Sequence, residues 1–342
     1  MSELWIDTDL GFDDIHALLL LRGHKIHPVA HSLVFGCSTL EHVVKNAQGL
    51  ESVFGFGSIW HCGAEAALDG QCRTAEHVLG KCGMLSRGLK LPQVDAGSAA
   101  FLQDIQAVEG LIKWLSSNPI NPQILALGPL SNLAQLITTA PDIAATLSKI
   151  TWMGGSCGRG NQTAYAEFNA WADAEAAAIV MQSGIHVHIV ELEACRKLQL
   201  VSEDLEPLSL LQNHKAKLIH DLLGGYLDIA LSRGRTGMAL YDPLAAAAVV
   251  VAMDRDAGIS TATSKATSTA TSGDKDILGS TPVNISIETA SREQSGRTRI
   301  TPVADPAEAR HSLCVVNNID AVHDMLLDAL YKTAKETAPD PA

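Results

Sequence analysis

Asp7-Thr8-Asp9-Leu10-Gly11-Phe12-Asp13-Asp14 is the stretch on which the reading of this chain turns. Four carboxylates fall within eight residues, directly after an apolar run, Leu4–Asp7, that reads as a first strand. A plain solvated acidic face would need neither that buried strand nor a glycine at a turn. Acids crowded at a strand end repel one another unless a cation or a pKa shift intervenes. With oxygen donors only, and no His or Cys beside them, the set favours a hard cation, Ca²⁺ or Mg²⁺. Asp13 and Asp14 also open a helix, where the macrodipole favours negative charge, but that structural role explains only one of them.

Working outward, short apolar runs alternate with helical patterns. Val29–Val34, Ile124–Leu127, Ile150–Met153 and His186–Val190 read as further strands. Asp13–Arg22, Leu40–Val53, Ala107–Ser117, Ser131–Thr138 and Ala174–Ser183 read as helices. Continuous apolar strands interleaved with helices predict an α/β fold: an open, mostly parallel sheet with helices on both faces. Such sheets bind ligands beyond the C-terminal ends of their strands, where the acidic stretch lies. Residues 258–274, GISTATSKATSTATSGD, are small and polar and read as a flexible loop. Beyond them, Val283–Ala290 alternates like a half-exposed strand, a turn falls near Gly296, and Ala321–Lys335 reads as a last helix. The simplest partition is one domain, 1–342, with a loose insertion.

Composition narrows the function classes. The chain has 342 residues, 46% hydrophobic, with 25 basic and 38 acidic side chains for a net charge of −13. Its mean hydropathy is +0.12. An acidic chain without a Lys/Arg cluster is a poor nucleic-acid binder. No apolar run is long enough for a membrane helix, and the acidic N-terminus does not read as a signal peptide. Seven scattered cysteines without a CxxC pair argue against a disulfide framework or a zinc knuckle and point to a reducing, cytoplasmic setting.

The stretch DTDLGFDD resembles the DxDxGxDD fingerprint of the inosine–uridine nucleoside hydrolase family. The resemblance continues in order through most of the chain: Phe35-Gly36-Cys37-Ser38-Thr39-Leu40 with Asn46-Ala47, Leu127-Gly128-Pro129-Leu130-Ser131-Asn132, Met153-Gly154-Gly155, Ala166-Glu167-Phe168-Asn169, Asp173-Ala174-Glu175-Ala176-Ala177 and Tyr241-Asp242-Pro243. It implies a bound Ca²⁺ held by Asp9, Asp14, Asp242 and the Leu127 carbonyl, with Asp9 also the general base. Asp13, Glu167 and Asn169 match contacts to ribose hydroxyls, with Asn161 and Met153 nearby, and Asp7 holds the loop from behind. The substrate implied is a small-molecule ribonucleoside, and the assembly a homodimer or homotetramer.

Several positions depart from the pattern. Cys37 stands where relatives have an asparagine that touches ribose; thiols are weak hydrogen-bonding groups, and the bland alternative is a small buried residue. Leu79 and Cys82 replace polar members of the loop that closes the base side. Tyr241 replaces a histidine that protonates the leaving base, and a phenol with a reference pKa of about 10 is a poorer acid. Cys195 lies near the base side and reads either as a catalytic thiol, if Arg196 and Lys197 depress its pKa, or as a buried structural one.

The first functional reading is therefore Ca²⁺-dependent hydrolysis of an N-glycosidic bond through an oxocarbenium-like centre. A second is a phosphatase with Asp7 as nucleophile and Asp9 as acid. A third is a ribosyl-ligand-binding protein that has lost leaving-group activation. The 15 aromatic residues include none whose position in the sequence marks it as a stacking platform for a base.

Overall fold

The first strand, β1 (Leu4–Thr8), is buried at every position, as a strand covered on both faces must be. Its alternate side chains enter two different cores. Leu4 and Ile6 join the cluster formed with α1 (Phe12–Gly23) and α2 (Leu40–Phe54). Trp5 joins the cluster on the other face, stacked on His61 with ring centroids 5.2 Å apart. The structure is a computed structural model that describes residues 2–93, 102–258 and 276–336.

From β1 the chain crosses by α1 to β2 (Ala30–Leu33) and by α2 to β3 (Ile59–Cys62), all parallel and in adjacent positions. After the short α3 (Glu76–Leu79) and α4 (Ala107–Ser116), β4 (Gln123–Ala126) returns to the other edge of β1, again parallel. This reversal of strand order opens a crevice beyond the C-terminal ends of β1 and β4. Helices α5 (Ser131–Thr139) and α6 (Pro141–Ala144) lead to β5 (Lys149–Met153), and α7 (Phe168–Ala172) and α8 (Ala174–Gln182) to β6 (Val187–Val190), extending the parallel run.

Helix α9 (Leu192–Cys195) then passes to a two-stranded antiparallel ribbon, β7 (Gln199–Leu200) with β8 (Met238–Ala239). Between those strands lie α10 (Ser202–Ser209) and α11 (His214–Leu231). Helix α12 (Asp242–Asp256) packs against α1, and its largely apolar residues Leu244–Val251 are buried. The sheet finishes with β9 (Leu278–Ile287), β10 (Thr298–Pro302) and β11 (His311–Val316); β9 runs antiparallel to both neighbours, and β11 joins β6 in parallel. Helix α13 (Ile319–Lys335) closes the described chain.

The nine-stranded sheet is thus open and mostly parallel, with helices on both faces, as the sequence predicts. For the strands expected at β1, β2, β4, β5 and β6 and the helices expected at α1, α2, α4, α5 and α8, expected and observed ends agree to within a residue, whereas β3 is not among those expected. The strand expected at Val283–Ala290 is β9, which starts at Leu278 and stops at Ile287. Its first half is Gly-Ser-Thr-Pro, unlike a free-standing strand, but pairing with β11 fixes it there. The expected loop at 258–274 lies outside the described residues apart from Gly258. Among the described residues no helix is long and apolar enough to cross a membrane.

Candidate active site

The acidic stretch folds into a loop that turns its carboxylates inward. Thr8 Oγ1 accepts from the Leu10 amide at 3.1 Å and donates to Asp14 Oδ1. The Gly11 amide donates to Asp14 Oδ2 at 2.8 Å. Leu10 sits between them at φ +44°, a left-handed conformation that costs a branched residue about 1–2 kcal/mol. Asp9 is held from β2: its Oδ2 accepts from the Cys37 amide at 2.6 Å. Asp242 arrives on the first turn of α12, whose N-terminal dipole favours a carboxylate.

These groups converge. One oxygen each from Asp13, Asp14 and Asp242 lies within 4.8 Å of the others, and Asp9, Asp14 and the Cys37 thiol form a second such group. Burial, and then repulsion from Asp14, lifts the Asp9 carboxyl well above the usual range. Burial and then Asp13 do the same to Asp242, and Asp13 is pushed up to about 7 by burial and Asp14. A divalent cation relieves such crowding, and carboxylates with one carbonyl are the donor set of a hard ion. The Leu127 carbonyl, just past the end of β4, accepts from Asn169 Nδ2 at 2.8 Å.

Above the acids lies an open cleft of about 880 Å³ including its mouth. Asp9, Asp13, Cys37, Leu127, Met153, Asn161, Glu167, Asn169, Tyr241 and Asp242 all line it. Asp14 belongs to the carboxylate group but is itself fully buried. Asn169 is fixed by donating its amide to the Leu127 and Met153 carbonyls, 2.8 and 2.9 Å. Glu167 caps α7: one oxygen accepts from the Asn169 amide at 2.8 Å, the other from Gly155 at 2.9 Å and Ala170 at 3.0 Å. Burial nonetheless pushes Glu167 up to about 7. Asn161 Oδ1 accepts from the Phe168 amide at 2.9 Å, which ties the loop to that helix.

Two sequence assignments are corrected by position. Cys195 is fully buried and lines no part of the cleft; its thiol lies 3.9 Å from the Tyr241 carbonyl. Burial, then Glu191, raises its pKa, so Arg196 and Lys197 do not activate it, and it packs beneath the site instead of acting in it. Asp7, the nucleophile of the phosphatase reading, is also fully buried behind the cleft. It accepts from the Ser32 hydroxyl and, at 2.7 Å, from Asn132 Nδ2. No phosphate ester in the cleft reaches it.

Other lining residues escape the sequence reading. Tyr226 on α11 donates its hydroxyl to Asp13 Oδ2 at 3.1 Å and stacks on Phe12 with centroids 5.0 Å apart. Ile229 and Arg233 follow it, and Phe168, Arg235 and Met238 complete that part of the lining. Tyr226 and Ile229, three residues apart, share one face of α11, and Arg233 lies just past its end. Leu79 lines the cleft with Val78, whereas Cys82 stands aside, its carbonyl accepting from Asn46 Nδ2 at 2.9 Å. Burial first, then Cys195 and Asp13, push Tyr241 up to about 12.

Known proteins resemble this chain in sequence and in fold. The sequence profile described as inosine-uridine preferring nucleoside hydrolase matches residues 4–324. The pyrimidine-specific ribonucleoside hydrolase RihA of Shewanella sp. (strain MR-7) is 31% identical over 242 residues, 70% of this chain and 74% of its own. RihA of Salmonella arizonae is likewise 31% identical over 242 residues, 70% of this chain and 76% of its own. Among solved structures, the purine-preferring ribonucleoside hydrolase of Gardnerella vaginalis superposes with a TM-score of 0.82 at 21% identity, covering 98% of this chain and 99% of that one. That last likeness shows a shared fold. Profile, relatives and fold agree, and the chain belongs to the inosine–uridine preferring nucleoside hydrolase family, the N-glycosyl hydrolases that act on nucleosides.

Proposed function

We propose that this enzyme hydrolyses the N-glycosidic bond of a ribonucleoside to free base and ribose, with Ca²⁺ held by Asp9, Asp14, Asp242 and the Leu127 carbonyl. The observation that supports it most is the clustering of Asp9 with Asp14, and of Asp13 and Asp242 with Asp14, beside a cleft that Leu127, Glu167 and Asn169 also line. A bound Ca²⁺ supplies charge to the buried acids, a grip on a ribose diol and a lowered pKa for a nearby water.

The chain's own groups do the rest. One Asp9 oxygen is occupied by the Cys37 amide, leaving the other to take the proton of the attacking water. Asp13, oriented by the Tyr226 hydroxyl, accepts from a ribose hydroxyl. Asn169 has its amide nitrogen committed to two carbonyls, so its oxygen is the atom presented to the sugar. Glu167 is pinned by backbone amides and positions the far end of the ribose. These contacts hold the sugar as positive charge develops at C1′. Tyr241, pushed up to about 12 chiefly by burial, keeps its proton at neutral pH and is a hydrogen-bond donor and a poor general acid.

The identity of the base stays open to experiment, since the relatives are named for pyrimidine and for purine nucleosides. The test is a chromatographic panel of ribonucleosides, including inosine, uridine and cytidine, incubated with the purified protein and Ca²⁺. Release of free base and ribose from at least one is expected. Intact nucleosides throughout, from protein that binds Ca²⁺, would instead favour a ribosyl-binding protein.

A further inference from the structure

The acidic stretch has no cysteine within it, yet the fold brings one to its side. Cys37 follows β2, on the loop that also carries Gly36. Its amide donates to Asp9 Oδ2 at 2.6 Å, which holds this loop on Asp9. Its thiol packs on Gly11, where a Cβ would stand 2.5 Å from the Cys37 Sγ. From another side Gly83, at φ +69°, comes close enough that a Cβ there would stand 3.1 Å from the Cys37 Cβ. Two glycines thus seat the thiol against the acids. Its sulfur and one oxygen each of Asp9 and Asp14 lie within 4.8 Å of one another. Among the described residues, Cys37 is the one cysteine in such a group. A separate observation shows that the site is short of positive charge. Asp242 is 3% exposed, and among the described residues no amide, amine or hydroxyl donates to its carboxylate. One of its oxygens lies instead within 4.8 Å of oxygens of Asp13 and Asp14. Cys37, Asp9 and Asp242 all border the cleft, so an ion arriving from solvent meets them together.

We propose that Asp9, Asp14 and Cys37 form a site for a thiophilic divalent cation, of which zinc is the type, that competes with Ca²⁺ for the two carboxylates. This rests on the reading of the same acids as a Ca²⁺ site. Oxygen donors alone favour Ca²⁺, whereas a thiolate selects softer ions such as zinc. On binding, a sulfur–metal bond forms and the thiol proton passes to solvent, since a coordinating thiol is deprotonated outright. No electron is transferred. Ligands of one tetrahedral zinc stand about 3.5 Å apart, so the set closes by movements of about an ångström. The consequence for hydrolysis follows from coordination number. Ca²⁺ takes about six to eight oxygens and has room for a water and a ribose diol beside its protein ligands. Zinc with three protein ligands keeps one open position, which holds a water or one sugar oxygen but not both. Zinc is therefore an inhibitor of this enzyme that extra Ca²⁺ relieves.

The test uses the metal-stripped full-length protein and Co²⁺, which takes zinc sites and reports a thiolate ligand by a sulfur-to-cobalt charge-transfer band in the near ultraviolet. The wild type should show that band, saturating at one ion per chain, and lose it on addition of Zn²⁺ or of excess Ca²⁺. Cys37→Ser and Cys37→Ala should lack it, whereas Cys157→Ser, at an exposed thiol outside the group, should keep it. By calorimetry, either Cys37 variant should bind Zn²⁺ at least about 10–100-fold more weakly, since losing even a group that only orients a metal ligand costs that much. Its Ca²⁺ affinity should change by less than about threefold, because Ca²⁺ takes oxygen ligands. Melting temperature serves as the folding control. Ribose release by the wild type should fall as Zn²⁺ is added and recover with extra Ca²⁺. No band in the wild type, a result that needs no variant to fold, would overturn the inference. So would a band that survives Cys37→Ala, or equal losses of zinc and calcium affinity. Hydrolysis with Ca²⁺ but no cobalt band would overturn the inference alone. A cobalt band that Ca²⁺ displaces, in a protein that cleaves no ribonucleoside, would overturn the hydrolase reading and support the metal site.

Discussion

Asp9 carries the most weight of any single residue. One oxygen is fixed by the Cys37 amide, burial and Asp14 raise its carboxyl, and it lines the cleft floor. Asp9→Asn keeps the shape and one oxygen donor but cannot accept a proton. Turnover should fall by about 10²–10⁴-fold while the circular dichroism spectrum and melting behaviour stay near wild type. Near-wild-type turnover in a folded Asp9→Asn protein would remove Asp9 from the role of base. At this scale the sequence is readable where functional groups cluster, as in Asp7–Asp14 and Glu167–Asn169. It is silent where a contact spans the chain: Tyr226 meets Asp13 across 213 positions, and nothing local marks that tyrosine. Cys195 misleads for a related reason, since basic neighbours in sequence do not set a pKa when the side chain points into the core.

Strand ends and the turns after them build the site, and these turns tolerate little. After β2, Gly36 packs so closely on Asp9 that a Cβ there would overlap the carboxylate. Gly36→Ala should therefore displace Asp9 and cut turnover by at least about tenfold, because small misplacements of a catalytic group are costly. Ca²⁺ affinity, measured by calorimetry, should weaken in parallel. Unchanged turnover and affinity would show that the loop yields without moving Asp9. Strands β1, β2, β4, β5 and β6 are legible because two-sided burial writes them as largely apolar runs, whereas parallel β3 is not, being four residues long with an exposed start and His61 within it. Strands β10 and β11 are not, since Arg299, Thr301 and Ser312 interrupt any such run; pairing with β9 defines β10, and pairing with β9 and β6 defines β11. Helix α12 escapes for the opposite reason: its run of small apolar residues is buried nearly all round and shows no amphipathic period.

On the scale of the whole molecule, the sheet also buries groups with no place in the reaction, and these set its response to pH. His31 on β2 is fully buried, stacked on Trp60 with centroids 4.1 Å apart, and burial lowers its pKa from 6.5 to about 3. Below pH 6.5 the unfolded chain takes up a proton at this residue that the folded one refuses, so stability is lost as pH falls toward about 3. His31→Phe should abolish that term. The stability difference between variant and wild type should shift by about 2 kcal/mol in the variant's favour between pH 6.5 and pH 5, measured by urea unfolding. A pH-independent difference would mean that His31 is protonated in the folded state.

The central claim, that buried acids at the ends of β1 and α12 hold a Ca²⁺ needed for N-glycosidic hydrolysis, is tested most directly on the ribonucleoside that the panel shows to be cleaved. The protein is stripped with a chelator, the residual metal is measured, and ribose release is followed as Ca²⁺ is added back. Release should fall to background in the stripped protein and recover at one ion bound per chain. Full-rate release of ribose from protein shown to hold no metal would contradict the claim.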